Sequence, residues 1–207
     1  MDDGAPIRCQ LATHALKGRK VKRRRDGLNA VVASDISLRP ITFEDWSAVH
    51  EWASTEVACR YQPWGPNTPA ETQAFAEDAV KAWHEEPQSR YVWIAEEAAV
   101  VIGLGELKIP SRRWRQGEIA YAVKVGQWRR GIGSAIATEL LTRAFGPFGL
   151  HRVAATCDPR NQASAAVLTR VGMIHEGRLR YTMQIGDGWR DSNVYSILDH
   201  EWDLPSR

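Results

Sequence analysis

Residues Gly126–Ser134 read GQWRRGIGS, between a strand-like EIAYAV (Glu118–Val123) and the helical pattern AIATELLTRAF. This junction constrains the fold more than any other stretch. Glycines let backbone come close to a ligand, and the first amides of a helix have no partner within it. Flanked by Arg129 and Arg130, such a helix start is an anion site, and it requires a sheet with a helix packed on it. A Walker loop would need GxxxxGK[ST], but no lysine stands beside either glycine. A dinucleotide fingerprint would need Gly or Ala at the third position of GxGxxG, where Ile136 stands, and an acidic ribose ligand about twenty residues on, where Asp158 is only loosely placed. A loop whose backbone N–H groups face a pyrophosphate satisfies the residues present.

Periodicity supplies the rest of the frame. ISLRPI (Ile36–Ile41) alternates as a strand, and Thr42 caps a helix with apolar residues at Phe43, Trp46, Val49 and Trp52. RYQPWGPNTP is a loop by its prolines, after which Thr68 and Pro69 open a helix running to about Trp83. Strands are expected at Arg90–Ala95, Val100–Ile109, Glu118–Val123, His151–Cys157, Met173–Arg180 and Arg190–Leu198, with helices at Ser134–Phe145 and Asn161–Val171. The order β-α-α-β-β-β-α-β-α-β-β predicts an α/β (α+β) domain: a mixed, mostly antiparallel sheet of about six or seven strands flanked by about four helices.

VKVGQWRRGIGSA (Val123–Ala135) resembles the acyl-CoA loop of the GNAT N-acyltransferases, (Q/R)xxGx(G/A) after a strand ending VxV. Trp128 occupies the Q/R position, a departure shared with the RimJ/RimL-type branch. DPRNQASAAVLTRVGMIHEGRLR (Asp158–Arg180), RYQPWGPNT and DSNVYSILDHEW are similar to segments of that branch, so the resemblance covers about residues 35–203. It implies the GNAT fold, acetyl-CoA (coenzyme A) as co-substrate, and transfer of its acetyl group to a primary amine by direct transfer in a ternary complex. The fourth and fifth strands should splay, with the pantetheine arm on the backbone of Ala122, Val123 and Val125. The pyrophosphate should lie on Trp128, Arg129, Arg130, Gly131, Ile132, Gly133 and Ser134, and Asn161 should bond the arm. Many family members carry a general-acid Tyr seven residues after this Asn. Leu168 stands there in this chain, so the resemblance makes Ser164 the donor to the departing sulfur. The general base is Glu118, opening the strand before the loop, or Glu106 on its neighbour, and burial would raise either toward a useful pKa. A further Glu of the ribosomal-protein-acetylating branch is replaced by Met183.

Composition closes other routes. Cys9, Cys59 and Cys157 are scattered without CxxC and fit reduced thiols in a cytoplasm; Cys157 reads as a buried small hydrophobe, since no His is placed to activate it. The six His show no metal-ligand spacing, so no metal is expected, and AAVVIGL is too short to span a bilayer. Residues 1–34 carry eight Lys/Arg against three Asp, whereas the rest carries 19 basic and 22 acidic residues. The extension 1–34 therefore reads as disordered, either a solvated tail or a basic arm for an anionic partner such as RNA, the ribosome or a membrane surface, and 35–207 as the catalytic domain, a monomer or homodimer. Residues 41–86 hold nine acidic residues against Arg60 and Lys81, which predicts a negative wall drawing a protonated amine: a peptide N-terminus, a polyamine or an aminosugar. The alternative is a non-catalytic acyl-CoA-binding or RNA-associated module on the same fold.

Overall fold

The third helix shows how local chemistry starts the elements. The Glu71 carboxylate accepts from the Thr68 N–H at 2.7 Å and the Thr68 hydroxyl from the Glu71 N–H at 3.3 Å, satisfying two donors that the helix cannot. The structure, a computed structural model, describes residues 36–202, so the basic extension and its proposed partner lie outside the described residues. Its elements are β1 (Ile36–Pro40), α1 (Trp46–Ala53), α2 (Glu56–Cys59), α3 (Pro69–Ala82), β2 (Arg90–Glu97), β3 (Val100–Ser111), β4 (Gln116–Val123), α4 (Ile132–Phe145), β5 (Arg152–Cys157), α5 (Gln162–Arg170), β6 (Ile174–Ile185) and β7 (Gly188–Leu198).

The strands form one seven-stranded sheet in the order β1-β2-β3-β4-β5-β7-β6. Every neighbouring pair is antiparallel except β4 and β5, which run parallel around the α4 crossover. Alternation along the strands feeds a separate apolar layer on each face. On one face Leu107, Ile119, Val153 and Ile197 pack with Ile136, Leu140 and Leu141 of α4 and Leu168 of α5. On the other, Val92 and Ile94 pack with Val49 and Trp52 of α1 and Ala79 of α3. Gly105 lets α4 press on β3: a Cβ there would lie 2.8 Å from the Ile136 side chain.

The expected mixed sheet with flanking helices is the observed one. The one-turn helix α2 was not foreseen, because EVAC is too short to show a period; the Thr55 hydroxyl, accepting from the Ala58 N–H, starts it. Helix α4 begins at Ile132, two residues earlier than expected, because Gly131 turns the chain into the helix at φ 81°. The last hairpin is longer at both turn ends, with β6 reaching Ile185 and β7 starting at Gly188. Among the described residues no helix is long and apolar enough to cross a membrane.

Candidate active site

Strands β4 and β5 separate. They pair only at Gln116–Arg152, Gly117–Val153 and Glu118–Ala154, although β4 runs on to Val123 with β3 as its partner. From Ile119 onward the β5 side of β4 therefore presents backbone that the sheet does not use. A cleft of about 700 Å³ opens there, lined by Tyr121, Ala122 and Val123 of β4, the loop into α4, the first turn of α5, and Trp52, Tyr61 and Trp64.

The donor end of the cleft is mostly backbone. The first bond of α4 runs from the Ala135 N–H to the Gly131 carbonyl at 3.0 Å, so the amides of Ile132, Gly133 and Ser134 have no intrahelical acceptor and point out of the helix start. Arg129 lines the cleft and takes a left-handed φ of 64°. Arg130 is not among the lining residues; its guanidinium grips the Glu97 carboxylate at 2.9 Å and also bonds Gln127. Trp128 lies along the cleft, 47% exposed, and its indole N–H donates to the Val123 carbonyl at 2.8 Å, pinning the loop onto the strand end. The part expected of Val125 is its backbone, whose carbonyl accepts from the Trp128 N–H at 3.3 Å. The chain turns in a short 3-10 helix at Val125–Gln127, and the Val125 side chain packs with the α1/α3 layer instead of the cleft.

The floor is polar and tightly connected. The Asn161 side-chain oxygen caps α5 by accepting from the Ser164 N–H at 3.0 Å, which leaves its NH₂ group to donate. The Ser164 hydroxyl lies 3.0 Å from the Tyr121 hydroxyl. Burial pushes the Tyr121 phenol up to about 12, and burial likewise raises the Cys157 thiol. Leu168, at the place where many family members carry Tyr, is 1% exposed in the core and is unable to reach a ligand. Tyr121 escaped sequence reading because EIAYAV registers as a strand. Its phase with Ile119 and Val123 was the available signal, since it places a phenol on the α4/α5 face.

The acidic candidates lie elsewhere. Glu106 projects from the α1/α3 face, is bound by Arg90 at 2.7 Å and neighbours Lys108 at 3.4 Å. Glu118 stands at the last paired position before the strands part, exposed, opposite Lys108 in the β3–β4 register. Neither lines the cleft. The expected negative wall is also absent from the lining: none of the acidic residues of 41–86 contributes to it. Asp45 is held by Arg39 at 2.6 Å, Glu51 is paired with Lys124, and Glu71 caps α3. Aromatic residues dominate this mouth instead. Arg160 organises it, bonding buried Asp158 at 2.8 Å and Asp187 of the hairpin turn at 2.6 Å while lying 5.8 Å from the Tyr61 ring centre. Burial acts to raise the Asp158 carboxyl, but hydrogen bonds from Arg160 hold it below the usual range. Among the described residues no group of three His, Cys, Asp or Glu is placed to hold a metal ion.

A glycine-turned helix start facing the unpaired edge of a parted sheet defines the class: an acyl-coenzyme A transferase. Known proteins then fix the family. Residues 35–174 match the acetyltransferase (GNAT) domain family. YnaD of Bacillus subtilis (strain 168), an uncharacterised N-acetyltransferase, is 27% identical over 172 residues, covering 83% of this chain and 98% of its own length. A GNAT-family acetyltransferase structure from Bacillus anthracis superposes with a TM-score of 0.69 at 27% identity, covering 80% of this chain and 95% of that one. The fold is also that of RimL, the ribosomal L7/L12 α-N-protein acetyltransferase in complex with coenzyme A, with a TM-score of 0.72 at 17% identity over 82% of this chain and 96% of that one. The chain belongs to the GNAT acetyltransferase family, and acetyl-CoA is its acyl donor.

Proposed function

We propose that this protein transfers the acetyl group of acetyl-CoA to a primary amine carried on an apolar or aromatic body, a peptide N-terminus or a small molecule, by direct attack in a ternary complex. The observation that carries this reading is the parting of β4 from β5 opposite the start of α4, with the Tyr121–Ser164 pair on the floor between them. The amides of Ile132, Gly133 and Ser134, with Arg129, hold the pyrophosphate, and the Asn161 amide and the free edge at Ala122 and Val123 guide the pantetheine arm. A Val123 N–H facing the thioester carbonyl receives the charge that develops on its oxygen. The Ser164 hydroxyl supplies the proton to the departing sulfur. Of the two carboxylates, Glu118 is the better base, because it stands where the strands part and reaches the amine through water, whereas Arg90 tethers Glu106.

The state of Cys157 supports direct transfer. At 5% exposure and with its thiol raised by burial, it stays protonated and enclosed, and the cleft lining has no histidine to activate it. The aromatic mouth, without a lining carboxylate, favours a neutral amine with an apolar body over a polyamine. Release of free coenzyme A thiol from acetyl-CoA against a panel of N-terminal peptides, aromatic amines and polyamines tests the reading. Acetyl-CoA at 100 times its Kd should also stabilise the fold by about 2.7 kcal/mol, while NAD should leave it unmoved. Binding without thiol release for any amine would favour a non-catalytic acyl-CoA module.

A further inference from the structure

The leaving thiolate needs a proton, and serine alone is a poor acid, so whatever holds and polarises Ser164 matters to the rate. Among the described residues, the cleft lining has two phenols, Tyr61 and Tyr121. Tyr61 sits at the mouth beside the guanidinium groups of Arg60 and Arg160, at 5.4 and 5.8 Å from its ring centre. Tyr121 lies on the floor, with its hydroxyl 3.0 Å from the Ser164 hydroxyl oxygen and 3.4 Å from the Ser164 carbonyl. Its ring stands beside the start of α4, where a Cβ on Gly133 would meet it at 3.5 Å, so the phenol is fixed between the donor-binding turn and α5.

We propose that Tyr121, on β4, is the positioning residue for the proton donor of this transferase: its phenol donates to the Ser164 oxygen and so turns the serine hydrogen toward the thioester sulfur. The proposal rests on the acetyl-transfer reading above and adds a residue to it. Either hydroxyl of the 3.0 Å contact can give its hydrogen, and the neighbours favour the phenol as donor. Both groups near the phenol hydrogen, the Ser164 hydroxyl oxygen and the Ser164 carbonyl, accept. Burial keeps the phenol protonated across the neutral range, so it acts as a donor throughout. With that lone pair occupied, the Ser164 hydrogen turns elsewhere. A thiolate forming on coenzyme A, a strong acceptor, then receives it.

The step balances. The amine nitrogen bonds the carbonyl carbon, the carbon–sulfur bond breaks, and the sulfur takes the Ser164 hydrogen. The proton shed by the acceptor nitrogen passes through water to Glu118 and returns by solvent to the serine oxygen, while the Tyr121 phenol keeps its hydrogen and its bond to that oxygen throughout. Each donor in the line polarises the next. Leu168 explains why a phenol on a strand serves here: the α5 position that faces the core is filled by a side chain with no proton to give.

The test is a kinetic cycle on the full chain with Tyr121→Phe, Ser164→Ala and the double variant, each measured for kcat, for acetyl-CoA Kd and for melting temperature. Ser164→Ala should lower kcat about 100-fold and Tyr121→Phe roughly 10- to 30-fold, within the range of acid–base contributions. Acetyl-CoA affinity and melting temperature should stay near wild type for both. The double variant should fall within about threefold of Ser164→Ala, because residues that act as a unit are not additive. Full kcat in Tyr121→Phe, losses that multiply in the double variant, or a Kd change as large as the kcat change would each overturn the proposal. Should Tyr121→Phe fail to fold, 3-fluorotyrosine placed at position 121 keeps the ring and the bond while making the phenol a stronger donor: a changed solvent deuterium isotope effect on kcat at unchanged acetyl-CoA Kd supports the proposal, and one identical to wild type overturns it. Wild-type protein that binds acetyl-CoA yet releases no thiol with any amine overturns the transferase reading itself, a result distinct from an active Tyr121→Phe.

Discussion

The two ends of the cleft are made of different material. One end is main chain: the amides at the head of α4, the free edge of β4, and a glycine with φ 81° that turns one into the other, where the proposal places the acyl donor. The other is side chain: Trp52, Tyr61 and Trp64, the last two in a loop beside Arg160, where the proposal places the acceptor. Backbone donors do not change when most residues are replaced, so the donor end is tied to one ligand chemistry. A mouth made of side chains is re-cut by each substitution. The same scaffold therefore keeps its acyl donor while its acceptor varies.

That contrast is easiest to break at Gly131. Gly131→Val forces a β-branched side chain into the left-handed region at a cost of about 2 kcal/mol, so acetyl-CoA Kd, read by calorimetry, should rise roughly 30-fold. The amine KM should barely move; equal damage to both would show that the ends are not separable. Next in size, Tyr61→Ala or Trp64→Ala should raise the KM of an apolar amine about tenfold through lost burial, with acetyl-CoA Kd unchanged in the same preparation. The arginine pair sharpens the donor end. Arg129→Ala should weaken acetyl-CoA by about fivefold, whereas Arg130→Ala, losing a half-exposed pair with Glu97, should weaken it by less than about twofold. A reversed order would mean that Arg130 leaves Glu97 for the phosphate. The smallest effect is expected from Glu106→Gln, within about twofold in kcat because an ion pair off the cleft is removed, while Glu118→Gln should cost about tenfold. If Glu106→Gln cost more than Glu118→Gln, the assignment of the base would be inverted.

The same division explains what could be read in the sequence. GQWRRGIGS announced the donor end because backbone recognition leaves its mark in glycine spacing and in the strand-to-helix order, both of which are local. Strand alternation placed the core layers for the same reason. The Val125 side chain lies with the α1/α3 layer because a three-residue turn follows Lys124, a change of phase that no period reveals. Glu106 looked free because its partner, Arg90, comes from another strand, and the acidic wall looked plausible because charge counts carry no direction. Tyr121 and Ser164 stand 43 residues apart, so their meeting is a product of the crossover and not of any motif.

One short stretch spans both ends. In DPRNQAS, Asp158 and Arg160 brace the aromatic loop and the hairpin turn, and four residues past Arg160 stands Ser164, the proposed donor to the leaving thiol, with Asn161 capping the helix between them. Specificity and turnover are thus written on the same seven residues. A lineage that re-tunes its acceptor by moving Arg160 also shifts the first turn of α5 and, with it, the serine. New acceptors should therefore be reached more readily through Tyr61 and Trp64, which can drift without touching the chemistry, than through the brace beneath them.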